Sequence, residues 1–196
     1  MTPPGGRRPA TRGVFAIEDQ ELLLPDPIAL DTSFVVEALI ATQPLHAVCS
    51  TFLTRIDESG VAVVTSELLR VELAEATFAN ALKERWRGKW RGHRTDGRSR
   101  PRAGRLLSDA LIRYDEMLGS MTHISIPLGD TAGIAPRFMT DYGIASYDAA
   151  HAATALTAGA DTIVTIDTGF ALLPASLLTV YTDRSRLASC RQKRVS

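Results

Sequence analysis

The sequence predicts an α/β fold whose strands run parallel and are covered by helices on both faces. Short runs of β-branched and other apolar residues recur along the chain, and amphipathic or alanine-rich helical segments separate them. Buried parallel strands have this nearly continuous apolar character because helices pack on both sides of the sheet. The chain has 196 residues, 45% hydrophobic and 22% charged, which is enough for one domain with appendages and too apolar for a disordered protein.

The alternation of strands and helices begins at residue 28. In chain order, the predicted elements of the first half are a strand at 28–30, a helix from 32 to about 41, a helix from 44 to Gly60, a strand at 61–64 and a helix after Ser66. Thr32 or Ser33 is expected to cap the first helix, because a hydroxyl at that position accepts a hydrogen bond from a free backbone N–H. Val48, Phe52 and Ile56 recur at helical spacing and predict the buried face of the second helix.

The second half continues the same pattern. Its predicted elements are a helix at 106–118, a strand at 123–126, a helix from Ser146 to about 158, a strand at 162–166 and a last strand at 177–181. Pro127 stops the strand that precedes it, because proline lacks the backbone donor that a central strand needs. Gly159 ends the alanine-rich helix.

The chain is expected to divide into three segments. They are a largely disordered N-terminal extension at 1–26, a folded domain at 27–183 and a basic C-terminal tail at 184–196. No apolar run approaches the ~18 residues that a membrane span needs. Cys49 and Cys190 are far apart and follow neither a metal-site nor a disulfide spacing, so we expect a cytoplasmic protein with no membrane partner.

Two acidic residues directly follow predicted strands. Asp31 comes after the strand at 28–30, and Asp167 comes after the strand at 162–166. Ligands of open parallel sheets bind beyond the carboxyl ends of the strands, so both residues are candidate site residues. Each of them also fits a simpler role as a turn residue or a helix cap.

Two further acids lie near the starts of helices that leave the same side of the sheet. Asp148 is two residues past Ser146, where the helix dipole favours an anion, and it also fits an ordinary helix-terminal acid. Glu72 is about two turns past Ser66 and close to an apolar face, where a lone carboxylate is costly. The alternative for Glu72 is a surface glutamate, like its neighbour Glu75.

Four carboxylates on one side of a sheet predict a site for a divalent cation. Like charges at close range raise some of the carboxyl pKa values, and a bound cation removes that repulsion. The ligands on offer are all oxygens, which suit Mg²⁺, or Mn²⁺, better than zinc. Mg²⁺ takes one or two carboxylates, keeps several waters and contacts substrate phosphates. Such a site can activate a water for attack on phosphorus.

Four segments of the chain together resemble a PIN-domain ribonuclease, and most closely a VapC-type toxin of a toxin–antitoxin system. They are IALDTS at 28–33, TSELLRVEL at 65–73, SYDAAHAA at 146–153 and VTIDTGF at 164–170. Their order and spacing carry the resemblance over residues 27–183. The four acids of the family fall on the catalytic candidates Asp31, Glu72, Asp148 and Asp167.

This resemblance implies a three-layer α/β/α sandwich with a central parallel sheet. It also implies Mg²⁺-dependent endoribonuclease activity, in which a metal-activated water hydrolyses RNA phosphodiester bonds. Asp31 and Asp148 are expected to contact the metal directly, and Glu72 and Asp167 to complete the site. The implied partners are an RNA substrate, a second copy in a homodimer and a cognate antitoxin. An antitoxin-free PIN ribonuclease in RNA processing and a catalytically idle RNA-binding module are the alternatives.

Three other residues are expected to support the acids. Thr32 and Thr165 are placed to hydrogen-bond to them. His151 lies three residues after Asp148, near the same helical face. It suits either a general base or, as we favour, packing and support, because a metal site generates its own hydroxide.

The segment at 83–105 is a basic insertion in the domain. It contains ten basic and two acidic residues, so its net charge is +8 in a chain that is neutral as a whole. Such a segment is typical of polyanion binding, and Arg94, Arg98 and Arg100 are the candidate RNA contacts. The alternative is a solvated, mobile loop. Trp86 and Trp90 are four residues apart and are expected to pack on the protein rather than to stack on bases.

Overall fold

A sheet of parallel strands lies at the centre of the protein. The computed structural model describes residues 13–195, and within them the strands are β1 (Val14–Ala16), β2 (Ile28–Leu30), β3 (Val63–Ser66), β4 (His123–Ile126), β5 (Thr162–Val164) and β6 (Thr179–Thr182). They are ordered β1-β6-β5-β2-β3-β4, and every neighbouring pair is parallel. β2 therefore lies between β5 and β3 in the middle of the sheet.

Helices cover both faces of this sheet. They are α1 (Thr32–Leu39), α2 (His46–Ser59), α3 (Glu67–Trp86), α4 (Arg100–Ser120), α5 (Leu128–Thr131), α6 (Ala135–Tyr142), α7 (Ser146–Thr157) and α8 (Leu187–Val195). Phe34, Phe52 and Leu73 belong to the hydrophobic core on one face. Ala149 and Ala153 of α7 belong to the core on the other face. The three-layer α/β/α arrangement with a central parallel sheet is confirmed.

Most of the predicted boundaries hold to within a few residues. Gly60 ends α2 in the left-handed conformation, with φ at +69°, which a residue with a Cβ adopts only with strain. The cap of α1 differs from the prediction, because Asp31, and not Thr32 or Ser33, occupies the N-cap position. The side chain of Asp31 accepts a hydrogen bond from the backbone N–H of Ser33 at 3.1 Å.

The described part of the predicted N-terminal extension is ordered, which corrects the expectation that residues 1–26 are largely disordered. β1 adds to the edge of the sheet by pairing with β6. Ile17 and Leu22 are buried in the same core as Ile28 and Leu30 of β2. The hydroxyl of Tyr181 donates to the carbonyl of Leu23 at 2.6 Å. The domain therefore begins before residue 27, while the part of this expectation that concerns residues 1–12 lies outside the described residues.

The C-terminal segment also folds onto the domain. The predicted basic tail at 184–196 begins with a 3₁₀ segment (Arg184–Arg186) and continues as α8. Cys190 of α8 is fully buried. Lys193 Nζ donates to the hydroxyl of Thr168 at 2.8 Å, which attaches the helix to the loop after β5. The last residue lies outside the described part of the chain.

The basic insertion at 83–105 forms an ordered connection between α3 and α4 rather than a mobile loop. It comprises the end of α3, a 3₁₀ segment (Arg87–His93) and the start of α4. The Trp86 ring stacks on His93 with 3.7 Å between ring centres, and its Nε1 donates to the hydroxyl of Ser99 at 2.9 Å. Trp86 thus packs within the protein. None of the helices in the described residues is long and apolar enough to cross a bilayer.

Candidate active site

A cleft of about 770 Å³ opens at the carboxyl edge of the sheet. β2 and β5 end there, and α3 and α7 begin beside it. The four predicted acids all line this cleft, and they are Asp31, Glu72, Asp148 and Asp167. The fold therefore brings together acids that the sequence separates by as many as 136 positions.

Asp31 lies on the floor of the cleft and is 4% exposed. Its Oδ2 accepts three hydrogen bonds, from the backbone N–H of Ser33 at 3.1 Å, the hydroxyl of Ser33 at 2.5 Å and the hydroxyl of Thr165 at 2.8 Å. The expected contact of Thr165 is therefore present. These hydrogen bonds hold Oδ2 in place. The other carboxylate oxygen, Oδ1, lies 3.9 Å from His151 Nε2. Asp31 is thus both a helix cap and a member of the acidic cluster.

Glu72 is held by two side chains from other elements. Its Oε2 accepts from the hydroxyl of Thr32 at 2.5 Å and from His151 Nε2 at 2.5 Å. The other ring nitrogen of His151 lies 3.1 Å from the hydroxyl of Ser66 at the end of β3. The expected contact of Thr32 is present, and His151 supports Glu72 from a distance of 79 residues along the chain.

These hydrogen bonds shift the pKa values of Glu72 and His151 in opposite directions, each toward its charged form. Burial raises the pKa of Glu72, but the hydrogen bonds from His151 and Thr32 outweigh it and hold the pKa below its ordinary value. Burial lowers the pKa of His151, but its hydrogen bond to Glu72 and the charges of the neighbouring carboxylates raise it above its ordinary value. The two ring nitrogens of His151 thus face the Glu72 carboxylate and the Ser66 hydroxyl.

Asp148 and Asp167 approach each other at the opposite side of the cleft. Asp148 is in the first turn of α7, and Asp167 Oδ1 accepts from the backbone N–H of Gly169 at 2.7 Å. A Cβ on Gly169 would lie 2.6 Å from Asp148 Oδ2 and 3.2 Å from Asp167 Oδ1, so a side chain there would displace a carboxylate. Burial and the charges of Asp167 and Asp31 raise the pKa of Asp148 to about 7.

The comparison with protein families agrees with this geometry. A model described as PIN domain matches residues 28–175, which is more than half of the chain and includes all four acids. The chain belongs to the PIN-domain family. PIN domains are generally nucleases and typically use divalent metal ions, so membership of the family suggests hydrolysis of phosphodiester bonds.

Similar solved structures include the crystal structure of PAE2754 from Pyrobaculum aerophilum. That chain and this PIN domain are 17% identical, with a TM-score of 0.45 over 84% of this chain and 89% of the other. No curated protein matches this chain.

The oxygen ligands of this PIN domain fit a hard divalent cation. No group of three or more His, Cys, Asp or Glu side chains in residues 13–195 is arranged to hold an ion unaided. Mg²⁺ needs only one or two direct carboxylates, because waters complete its coordination. Asp31 Oδ1 and the Asp148 carboxylate are the atoms that would hold it, and a cation there would offset the burial and the negative charges that raise the pKa of Asp148.

The three arginines predicted to contact RNA lie in different environments. Arg94 forms a forked pair with both carboxylate oxygens of Glu75, at 2.5 and 2.8 Å, and Glu75 lines the cleft. Its guanidinium also lies 5.4 Å from the ring centre of Phe78. Arg98 and Arg100 are exposed. Arg94 therefore anchors the basic insertion at the rim of the cleft.

Sequence reasoning missed two contributors to the site. Ser33 donates twice to Asp31, and the pattern of an Asp two residues before a Ser, after a strand, is the capping signal that identifies it. Ser66 is recognised from the sequence only as the residue before a helix, and not as the partner of His151. No local pattern reveals that second contact, because the two residues are 85 positions apart.

We expect His151→Leu to weaken Mn²⁺ binding by about 10- to 100-fold, because Glu72 loses a donor that orients it. His151→Gln retains a side-chain N–H donor and is expected to keep most of the affinity. Isothermal titration with Mn²⁺ measures both values, and circular dichroism verifies that each variant is folded. Equal affinity in the wild type and the leucine variant would contradict this positioning role.

Replacing Asp148 by Asn is expected to stabilise the metal-free protein near pH 8, by about 1 to 2 kcal/mol after allowance for solvent screening. The folded-state pKa of about 7 lies above the ordinary value of 3.8, so the wild type loses stability as pH rises between these values. The advantage of the Asn variant should therefore disappear near pH 4. Urea unfolding in EDTA measures it, with the exposed Asp130→Asn as control. A difference in unfolding free energy between Asp148→Asn and the wild type that does not change with pH would contradict the raised pKa of Asp148 as its cause.

Proposed function

We propose that this PIN domain is a Mg²⁺-dependent endoribonuclease, and the toxin of a type II toxin–antitoxin pair acting in the cytoplasm. The observation that carries the proposal is the convergence of four acids from separate segments on one cleft, namely Asp31, Glu72, Asp148 and Asp167. Pure RNA binding gains nothing from clustered negative charge, because carboxylates repel phosphates. This argues against a catalytically idle RNA-binding module.

Each acid of the cleft has its own role in the proposed hydrolysis. When bound, Mg²⁺, or Mn²⁺, would polarise the scissile phosphate and lower the pKa of a water. Asp31 and Asp148 would hold the cation, with Asp31 kept in place by Ser33 and Thr165. Glu72 stays ionised through its hydrogen bonds, and Asp167 is the most exposed of the acids, facing the solvent from which water enters.

The basic insertion at 83–105 supplies the charge that an RNA substrate requires. Its net charge of +8 lies beside a strongly acidic cleft, and the Arg94–Glu75 pair joins the two. Phosphates of a bound strand would release counterions from this segment, so binding should weaken steeply with salt. The exposed Arg98 and Arg100 are the strand contacts that we favour.

The toxin assignment adds two partners, a second copy of the chain and a cognate antitoxin whose tail fills the cleft. Both rest on the resemblance of the four acidic segments to VapC-type toxins. The alternative is an antitoxin-free PIN ribonuclease in RNA processing. A small antitoxin gene directly upstream, and a stable complex between its product and this chain, would distinguish the toxin from that alternative.

We expect the wild type to cleave RNA in Mg²⁺ and not in EDTA. Asp31→Asn and Asp148→Asn should each lower kcat by at least about 100-fold, because each removes an anionic ligand of the proposed cation. Gel assays with end-labelled RNA, and with single-stranded DNA of the same sequence, measure activity and specificity. Asp130→Asn serves as a matched surface control. Equal cleavage by wild type and both site variants would exclude this cleft as the source of activity.

The pair of substitutions Arg98→Ala and Arg100→Ala is expected to weaken RNA binding and to flatten its salt dependence. Losing two phosphate contacts lowers the slope of log K against log salt by about 1.4 for a single strand. Fluorescence anisotropy across a salt series measures the slope.

The matched comparison reverses the ion pair at the rim of the cleft. The swap Arg94→Glu with Glu75→Arg preserves the pair and the total charge, so it should bind RNA within about twofold of wild type if Arg94 is an anchor. Unchanged affinity in the Arg98 and Arg100 variant would remove the case for RNA contact by the insertion.

A further inference from the structure

Helix α3 presents a second face to the cleft in addition to its core face. Leu69 and Leu73 are fully buried in the core. The cleft face consists of residues one to three positions away from them, at helical spacing, namely Leu68, Val71, Glu72, Glu75 and Ala76. This face mixes carboxylates with apolar side chains, and Val71 is 65% exposed on it.

An exposed aromatic ring lines the same cleft from the other side of the sheet. Tyr147 is in the first turn of α7, directly before Asp148, and is 61% exposed. α3 and α7 pack on opposite faces of the sheet, so Tyr147 and Val71 reach the cleft from opposite layers. In the described part of the chain, these two are the most exposed large hydrophobic side chains.

Under the proposed function, a cation held by the acidic floor binds a phosphate, so exposed apolar surface beside that floor indicates a ligand with both apolar and anionic parts. The other strongly exposed hydrophobic residues, Leu106, Ile112, Leu128 and Met139, do not line this cleft. A single exposed hydrophobic residue is ordinary on a protein surface and needs no functional explanation. Two such residues that flank the same acidic cluster do need one. A nucleobase joined to a phosphate has this composition, because its flat face is apolar and its backbone is charged.

We infer that Tyr147 and Val71 form a nucleobase subsite beside the scissile phosphate, with the Tyr147 ring stacked on one base of the substrate strand. The inference rests on the proposed ribonuclease function and adds the form of the substrate. A base inside a duplex is covered on both faces, so a stacking subsite selects a strand whose bases can splay out. Because every base has a π-face, the subsite tolerates different sequences.

Binding of an RNA probe tests this subsite without cleavage. The probe is a single-stranded oligonucleotide with 2-aminopurine at the position next to the cleaved bond and an uncharged, uncleavable methylphosphonate at that bond, mixed in Mg²⁺ with the full-length protein. Stacking on Tyr147 quenches the probe, and Tyr147→Ala should remove the quenching and weaken binding by about 5- to 150-fold. Tyr147→Phe keeps the ring and should behave like the wild type. Met139→Ala, an exposed change on α6, is the matched control.

Cleavage of a modified substrate provides the second arm. Replacing the stacked nucleotide by an abasic one should lower kcat/KM for the wild type by the same factor as Tyr147→Ala lowers it for intact RNA. Combining the abasic substrate with Tyr147→Ala should lower kcat/KM no further than either change alone, because both changes remove the same contact.

The outcomes separate this inference from the function on which it rests. If the wild type cleaves RNA, Asp31→Asn does not, and Tyr147→Ala equals the wild type in quenching and kcat/KM, the subsite is overturned and the ribonuclease stands. If the wild type neither cleaves nor binds RNA, both are overturned. If Tyr147→Ala changes only self-association or binding to another protein, the surface is a protein-docking site and the subsite is again overturned.

Discussion

His151 and Glu72 meet between the two helical layers, and their hydrogen bond joins α7 to α3 across the carboxyl edge of the sheet. His151 is almost fully buried, and its hydrogen bond to Glu72 and the neighbouring carboxylates raise its pKa above the ordinary value although burial lowers it. The pair fixes one oxygen of Glu72, and Nε2 of the same imidazole lies 3.9 Å from Asp31 Oδ1. The position of Glu72 in the cleft therefore depends on this contact and on the hydroxyl of Thr32.

The four acids are chemically distinct although their side chains are alike. Asp31 accepts hydrogen bonds from hydroxyl and backbone donors, and Glu72 accepts from a hydroxyl and an imidazole that hold its pKa below the ordinary value. Burial first, and then repulsion by the charges of Asp167 and Asp31, raise the pKa of Asp148. A cation would relieve that repulsion most at Asp148. The same crowding accounts for Gly169, since the approach of two carboxylates leaves no room for a side chain.

The neutral total charge of the chain conceals a strong internal asymmetry. The insertion between α3 and α4 carries the positive charge, and stacking of Trp86 on His93 gives it a defined conformation. Its forked Arg94–Glu75 contact places that charge at the rim of the acidic cleft. Attraction for a polyanion and repulsion from the carboxylates thus act on neighbouring surfaces. Under the proposed function, a substrate strand would lie on the first surface while its scissile phosphate enters the second.

The sequence by itself determined the parallel α/β architecture and the four acids. Both follow from local patterns: apolar runs identify buried strands, and acids directly after strands or within the first two turns of the following helices fall at the carboxyl edge. Only the tertiary structure decided that β1 joins the sheet, that Ser33 and Thr165 share Asp31, and that His151 supports Glu72. These contacts join residues as many as 166 positions apart. A three-residue strand is stable only beside its partner, and a hydrogen bond between distant side chains leaves no periodic trace in the sequence.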